Sequence, residues 1–131
     1  MALARRTLGM DVAMVTEVQD GMEIARAVSG DWPGLGQLAG ASIPLEETFC
    51  KRMLEGEIEN VVRDVAADDR ARDLQLAKAL GVGAWIGVPL DTSLARLYVL
   101  CCLSREAQPD LTERDVHALR GFAATLARAL D

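Results

Sequence analysis

The residues of this chain best suited to covalent or proton chemistry are three cysteines, Cys50, Cys101 and Cys102, and a single histidine, His117. A thiol reacts as its thiolate, and an early helical turn lowers its pKa. Cys50, closing the run Ile43-Pro-Leu-Glu-Glu-Thr-Phe-Cys50, is therefore the candidate for a redox enzyme or sensor. Cysteine is also among the most buried residue types, and packing is the simpler reading of Cys50. Cys101 and Cys102 are neighbours in an apolar run that reads as a strand, where successive side chains point to opposite faces, so they are not expected to act together. His117 falls in a charged helical turn and reads as a surface residue. No cluster has metal-ligand spacing, which argues against a zinc site. The odd cysteine count without paired spacing suits a reducing cytoplasm.

Non-covalent recognition has more to work with. The stretch from Ile43 to Gly56 reads as one short helix over a pocket. Glu46 and Glu47 suit the positive end of its dipole, Lys51 and Arg52 follow, and Gly56 suits the left-handed position after its last turn. Leu45, Phe49, Met53 and Leu54 recur at helical spacing as its apolar face. A glycine-rich loop, Ser29 to Gly40, carries Trp32, a large ring with an indole N–H that suits a pocket rim. Trp32, Phe49, Cys50, Met53, Asp64 and Trp85 are expected to line or rim one cavity. Phe49 fits core and ligand contact alike. Arg63 and Asp64 could hydrogen-bond a polar ligand or form a solvated pair at a sheet edge. Gly34-x-Gly36 does not lead from a strand into a helix, so a phosphate loop is not supported.

Elements to position these residues can be read in order. Leu3, Ala4 and Leu8 suit one side of a short helix ending at Gly9. Val12 to Val18 reads as a strand, Asp20-Gly21 as a tight hairpin turn, and Met22 to Val28 as its partner. Ile58 to Val65 holds a short strand around Val61-Val62. Asp68-Asp69 can cap a second short helix, Arg70 to Leu80, closed by Gly81. Gly83 to Leu90 and Arg96 to Leu103 read as strands joined by a turn at Asp91 to Ala95. The second is apolar on both faces and therefore central. Thr112 and Asp115 form a short capping box, with Leu111 stapled to Val116. The helix that follows carries a stripe of Val116, Leu119, Phe122, Ala123, Leu126 and Leu130, with Gly121 and Ala124 on a smoother second face.

At 131 residues and half apolar, the chain is the size of one domain that can bury a core without disulfides or metals. Aromatic residues make up only 4%, so the core must be mostly aliphatic and the two tryptophans are informative. The net charge of −6 repels phosphate backbones and argues against nucleic-acid partners. No apolar run approaches the ~20 residues of a membrane span. Both ends read as interrupted helices, as in a domain excised from a longer protein.

This order of elements resembles the GAF domain over essentially the whole chain. Gly81-Val-Gly-Ala-Trp-Ile-Gly-Val-Pro-Leu90 is similar to the family's strand ending in Val-Pro-Leu, and Leu97-Tyr-Val-Leu-Cys-Cys-Leu-Ser104 to the strand after it. Ile43-Pro-Leu-Glu-Glu-Thr-Phe-Cys50 with Asn60-Val-Val-Arg-Asp64 resembles a subgroup found beside cyclic-di-GMP synthesis and hydrolysis domains and other bacterial signalling outputs. The resemblance implies an α+β, profilin-like fold. A central antiparallel sheet would carry the N- and C-terminal helices on one face and a ligand pocket with short helices and loops on the other. In the family that pocket takes cyclic nucleotides, tetrapyrroles, haem, small acids or nothing known, so no cofactor is named here. An enzymatic branch reduces free methionine sulfoxide with a cysteine that would fall within about Asp68 to Leu74, where this chain has none. Members that attach a bilin do so through a cysteine beside a histidine, a pair absent here.

The resulting expectation is a non-catalytic sensory module of a bacterial signalling protein. It would be cytoplasmic, bind a small molecule, and be linked covalently to an output domain. The terminal helices are expected to pair with those of a second chain as a homodimer. The alternative is a dimerisation and relay element whose pocket is closed.

Overall fold

The fold starts from a tight turn. Asp20 and Gly21 both take positive φ, 54° and 74°, the backbone twist that joins two antiparallel strands without splaying them. Asp tolerates this conformation and glycine adopts it without a steric cost. On either side run β1 (Val12–Gln19) and β2 (Met22–Gly30). Their register shifts between Val15, opposite Ala27, and Thr16, opposite Ala25. Arg26 is thus an extra residue in β2, and a one-residue bulge of this kind reverses which face later side chains point to.

The computed structural model describes residues 1–30, 32, 40–92 and 96–130, with the side chain of Leu76 excepted. The hairpin pairs with β3 (Ser42–Pro44), β4 (Val61–Val62), β5 (Ala84–Pro89) and β6 (Leu97–Ser104) in one antiparallel sheet, ordered β3-β2-β1-β6-β5-β4. The α-helices among the described residues are α1 (Ala2–Leu8), α2 (Phe49–Leu54), α3 (Gln75–Leu80) and α4 (Glu113–Leu130).

The apolar run Leu97–Ser104 lies at the centre, between β1 and β5, and is covered on both faces. Each face has its own core. On one, Ala4 and Leu8 of α1 with Val116, Leu119 and Ala123 of α4 pack on Ala13, Ile86 and Cys102. On the other, Phe49, Cys50 and Met53 of α2 with Leu74 and Ala77 pack on Met14, Trp85, Val99 and Cys101. The adjacent cysteines of β6 therefore enter opposite cores, as strand geometry requires.

The start of α4 forms as its sequence predicts. The Thr112 amide donates to Asp115 Oδ2 at 2.8 Å and the Arg114 amide to Thr112 Oγ1 at 3.2 Å, while Leu111 and Val116 are both buried. Two other helices begin later than expected. Ile43 to Gly56 is not one helix: β3 gives way to a 3-10 turn, Leu45–Glu47, and α2 starts at Phe49. Thr48 is extended, donates to the Leu45 carbonyl at 2.8 Å and accepts from the Lys51 amide at 3.3 Å. A side chain bonded to its own backbone in this way stops one turn and starts the next. Glu46 and Glu47 therefore precede α2 instead of lying in its first turn, although Gly56 has the expected positive φ. Likewise Asp68 accepts from the Arg70 amide at 2.9 Å and fixes a turn, so α3 begins only at Gln75.

Leu54 and Leu130, read as members of core-facing stripes, are 37% and 40% exposed, and Leu3, on the expected side of α1, is 62% exposed. Val61–Val62 is all that forms a strand between Ile58 and Val65. Gly34-x-Gly36, most of the glycine-rich loop, and residues 93–95 of the turn before β6 lie outside the described residues. Among the described residues no helix is long and apolar enough to cross a membrane.

Candidate functional site

The face opposite the terminal helices is built around Trp85. Two residues further along β5, Gly87 leaves the indole room: a Cβ at Gly87 would stand 2.4 Å from Trp85 Cζ2. Asn60 holds this part of β5, donating from Nδ2 to the Gly87 carbonyl at 2.9 Å and accepting from the Gly87 amide at 2.9 Å. Phe49 then lies over Trp85, ring centroids 5.5 Å apart and planes 10° from parallel. Met53, one helical turn on, is buried beside Asn60 Nδ2, 3.3 Å from its sulfur. Trp32 is buried in the same core, with the Arg105 guanidinium 5.4 Å from its ring centroid.

Five of the residues expected at one cavity, Trp32, Phe49, Cys50, Met53 and Trp85, thus share one core. Asp64 does not join them. It is exposed and lines a separate groove of about 530 Å³ with Val61, Arg63 and Asp68. Val61 and Val62 alternate across the sheet, and beyond the extended Asp64 it is Val65, its amide donating to the Gly83 carbonyl at 2.8 Å, that joins the core of Trp85. Arg63 fastens the approach to α4: its Nε donates to the Leu111 carbonyl, and its own carbonyl accepts from the Gln108 amide.

Sequence reading missed the polar groups on this face. Glu23 and Thr16 are 4% and 2% exposed, and Glu23 Oε1 and Thr16 Oγ1 are buried without a hydrogen-bond partner among the described residues. Burial raises the Glu23 pKa above its ordinary 4.5, opposed in part by the nearby Cys50 and Thr16 side chains, whose contacts fall short of hydrogen-bond geometry. A simple alternation through Met22 to Val28 does not mark Glu23 as buried here, because the extra Arg26 changes the face. The available signal was chemical: an acid inside an otherwise apolar strand. A second buried acid, Glu17, lies on the helix-covered face and has cations of its own, Arg26 Nε at 2.9 Å and Arg96 Nε at 3.7 Å.

Cys50 and Cys102 are poor nucleophiles in these surroundings. Cys50 is pushed well above its ordinary pKa by its contact with Cys101, then by burial and the charge of Glu23. Burial, with Cys101 adding to it, pushes Cys102 up to about 12. His117 is exposed on α4. This face is suited to receiving a hydrogen-bond donor rather than to nucleophilic attack.

On the opposite side, Met1, Val15, Ala27, Tyr98, Leu126 and Leu130 border a groove of about 410 Å³ that also reaches Glu17. Gly121 opens onto free space on the outer face of α4.

A six-stranded antiparallel sheet with terminal helices on one side and short helices on the other defines a GAF fold. The chain belongs to the GAF domain family, whose model matches residues 1–131. Among proteins of curated function, none matches in sequence. Solved structures do. The phycoerythrobilin-bound GAF domain of a cyanobacterial phytochrome has a TM-score of 0.75 at 21% identity, over 98% of this chain and 80% of that one. The blue-light absorbing form of the Thermosynechococcus elongatus PixJ GAF domain gives 0.74 at 20% identity, over 98% and 79%. Free methionine-R-sulfoxide reductase from Neisseria meningitidis, in complex with its substrate, gives 0.71 at 21% identity, over 97% and 71%. These likenesses extend to the fold.

Proposed function

We propose that this GAF domain is a non-catalytic sensory module of a bacterial signal-transduction protein, acting in the cytoplasm. It binds a small molecule on the face that carries Phe49 and Trp85 and relays the event through α1 and α4. The observation that carries this reading is the pair of buried, unpartnered polar atoms, Glu23 Oε1 and Thr16 Oγ1, on a face otherwise packed with apolar side chains. A purely structural core gains nothing from such groups, since an unpaired buried polar atom costs about 1–3 kcal/mol. The lack of a cysteine from Asp68 to Leu74 and the raised thiol pKa values weigh against redox catalysis. A covalently linked output domain, of the kind that makes or degrades cyclic-di-GMP, would receive the signal from the terminal helices. Native mass spectrometry of freshly purified protein tests the reading. A small-molecule adduct lost on denaturation is expected; its absence over several preparations and growth conditions counts against ligand sensing.

A second reading has its own support. The Phe49–Trp85 stack fills the middle of this face with the chain's own side chains, as in a domain kept only for dimerisation and relay. Both readings propose a homodimer through α1 and α4 and differ in the ligand.

A further inference from the structure

The two buried acids of the hairpin are treated differently by the chain, and the difference identifies what Glu23 lacks. Glu17 has Arg26 and Arg96 beside it. Glu23, equally buried, has no Lys, Arg or His within ion-pair distance among the described residues. The other ion pairs occupy Lys51, Arg52, Arg70 and Arg72 elsewhere. Nor can the remaining segments supply a cation, because residues 31, 33–39, 93–95 and 131 include no Lys, Arg or His. Among the described residues the side chains that act on Glu23 are uncharged: Thr16 from β1, Cys50 from α2, and behind Cys50 the Cys101 thiol of β6. A buried carboxylate without a counter-charge is costly, and a cation brought by a ligand is the partner that removes this cost while donating hydrogen bonds.

We propose that this face receives a small organic cation, an amidinium or primary ammonium attached to an apolar body, whose N–H groups donate to Glu23 Oε1 and Thr16 Oγ1. The inference rests on the sensory reading above and specifies its ligand class. The bulge at Arg26 is what makes it possible: without the extra residue, Glu23 and Ala25 would share the face of Ala27, under the terminal helices. The apolar body would contact the aliphatic and aromatic side chains of the same core.

Isothermal titration calorimetry with benzamidinium chloride and 2-phenylethylammonium chloride, against neutral benzamide, tests the charge requirement. Saturable binding of at least one cation is expected, weakened about tenfold or more in Glu23→Gln and to a smaller extent in Thr16→Val, with benzamide far weaker than benzamidinium. Far-ultraviolet circular dichroism establishes that each variant is folded, and Thr16→Val carries the test if Glu23→Gln is not. The proposal is overturned if neither cation saturates, if the folded variants bind as wild type does, or if benzamide matches benzamidinium. A native adduct identified as an anion or an uncharged molecule would overturn it while leaving the sensory reading intact.

Discussion

Glu23 sets a pH dependence whose sign follows from its surroundings. Burial raises its folded pKa above the ordinary value of 4.5, so in the range between the two the folded chain keeps a proton that the unfolded chain has lost. Stability then falls as pH rises through that range and levels off above the folded pKa. Glu23→Gln removes the titrating group. In urea melts at a series of pH values, its stability relative to wild type should climb with pH from about 4.5 upward; a constant difference would mean that Glu23 ionises as freely folded as unfolded. The cysteines give a second expectation. Cys50, Cys101 and Cys102 are 2%, 2% and 0% exposed, and Cys50 and Cys102 have raised pKa values, so a thiol-specific chromogenic disulfide should titrate none of them at neutral pH until the protein is denatured. Rapid labelling of one thiol in the native state would show that its core opens locally.

At the scale of elements, Phe49 is the best gauge of how α2 is held. It is 1% exposed and stacked on Trp85, and Phe49→Ala should cost about 3–5 kcal/mol in denaturant unfolding. A loss below about 1 kcal/mol would show that the ring contributes little to the core. Gly87→Ala should also destabilise, by driving the Trp85 ring off its seat, with a change in tryptophan fluorescence as the readout.

The hairpin, β5, β6 and α4 were legible in the sequence because each is specified locally, by Asp20-Gly21, by apolar runs, or by Thr112 and Asp115. The starts of α2 and α3 were not, because Thr48 and Asp68 can each begin a helix or close a turn, and only the neighbouring backbone decides between them. The apolar members of the candidate site were legible from spacing. Glu23 was not, because its orientation depends on pairing between two strands that a single strand's alternation does not contain.

For the molecule as a whole, the terminal helices leave apolar side chains uncovered. Leu3 and Leu130 are 62% and 40% exposed, and a side chain at Gly121 would meet nothing within 4 Å. These features support pairing of two copies through α1 and α4, which is how the proposed relay would leave the domain. A small repacking there could carry a signal if the ligand binds two helix arrangements with different affinity. Sedimentation velocity over a range of concentrations should show a dimer, and Gly121→Glu should yield a folded monomer. A wild-type chain that stays monomeric throughout would rule out the paired relay.

The brevity of the two outermost strands bears on the kind of assembly open to this domain. β3 has three residues and ends in Pro44, which has no amide to donate, and β4 has two. Neither of these two strands itself offers another polypeptide a row of free backbone donors and acceptors long enough to extend the sheet along it. Fibril growth and strand exchange through β3 or β4 are thereby discouraged, although half of the residues are apolar. Outer strands this short let a module be concentrated or tethered to a neighbour with little risk of pairing through β3 or β4 themselves.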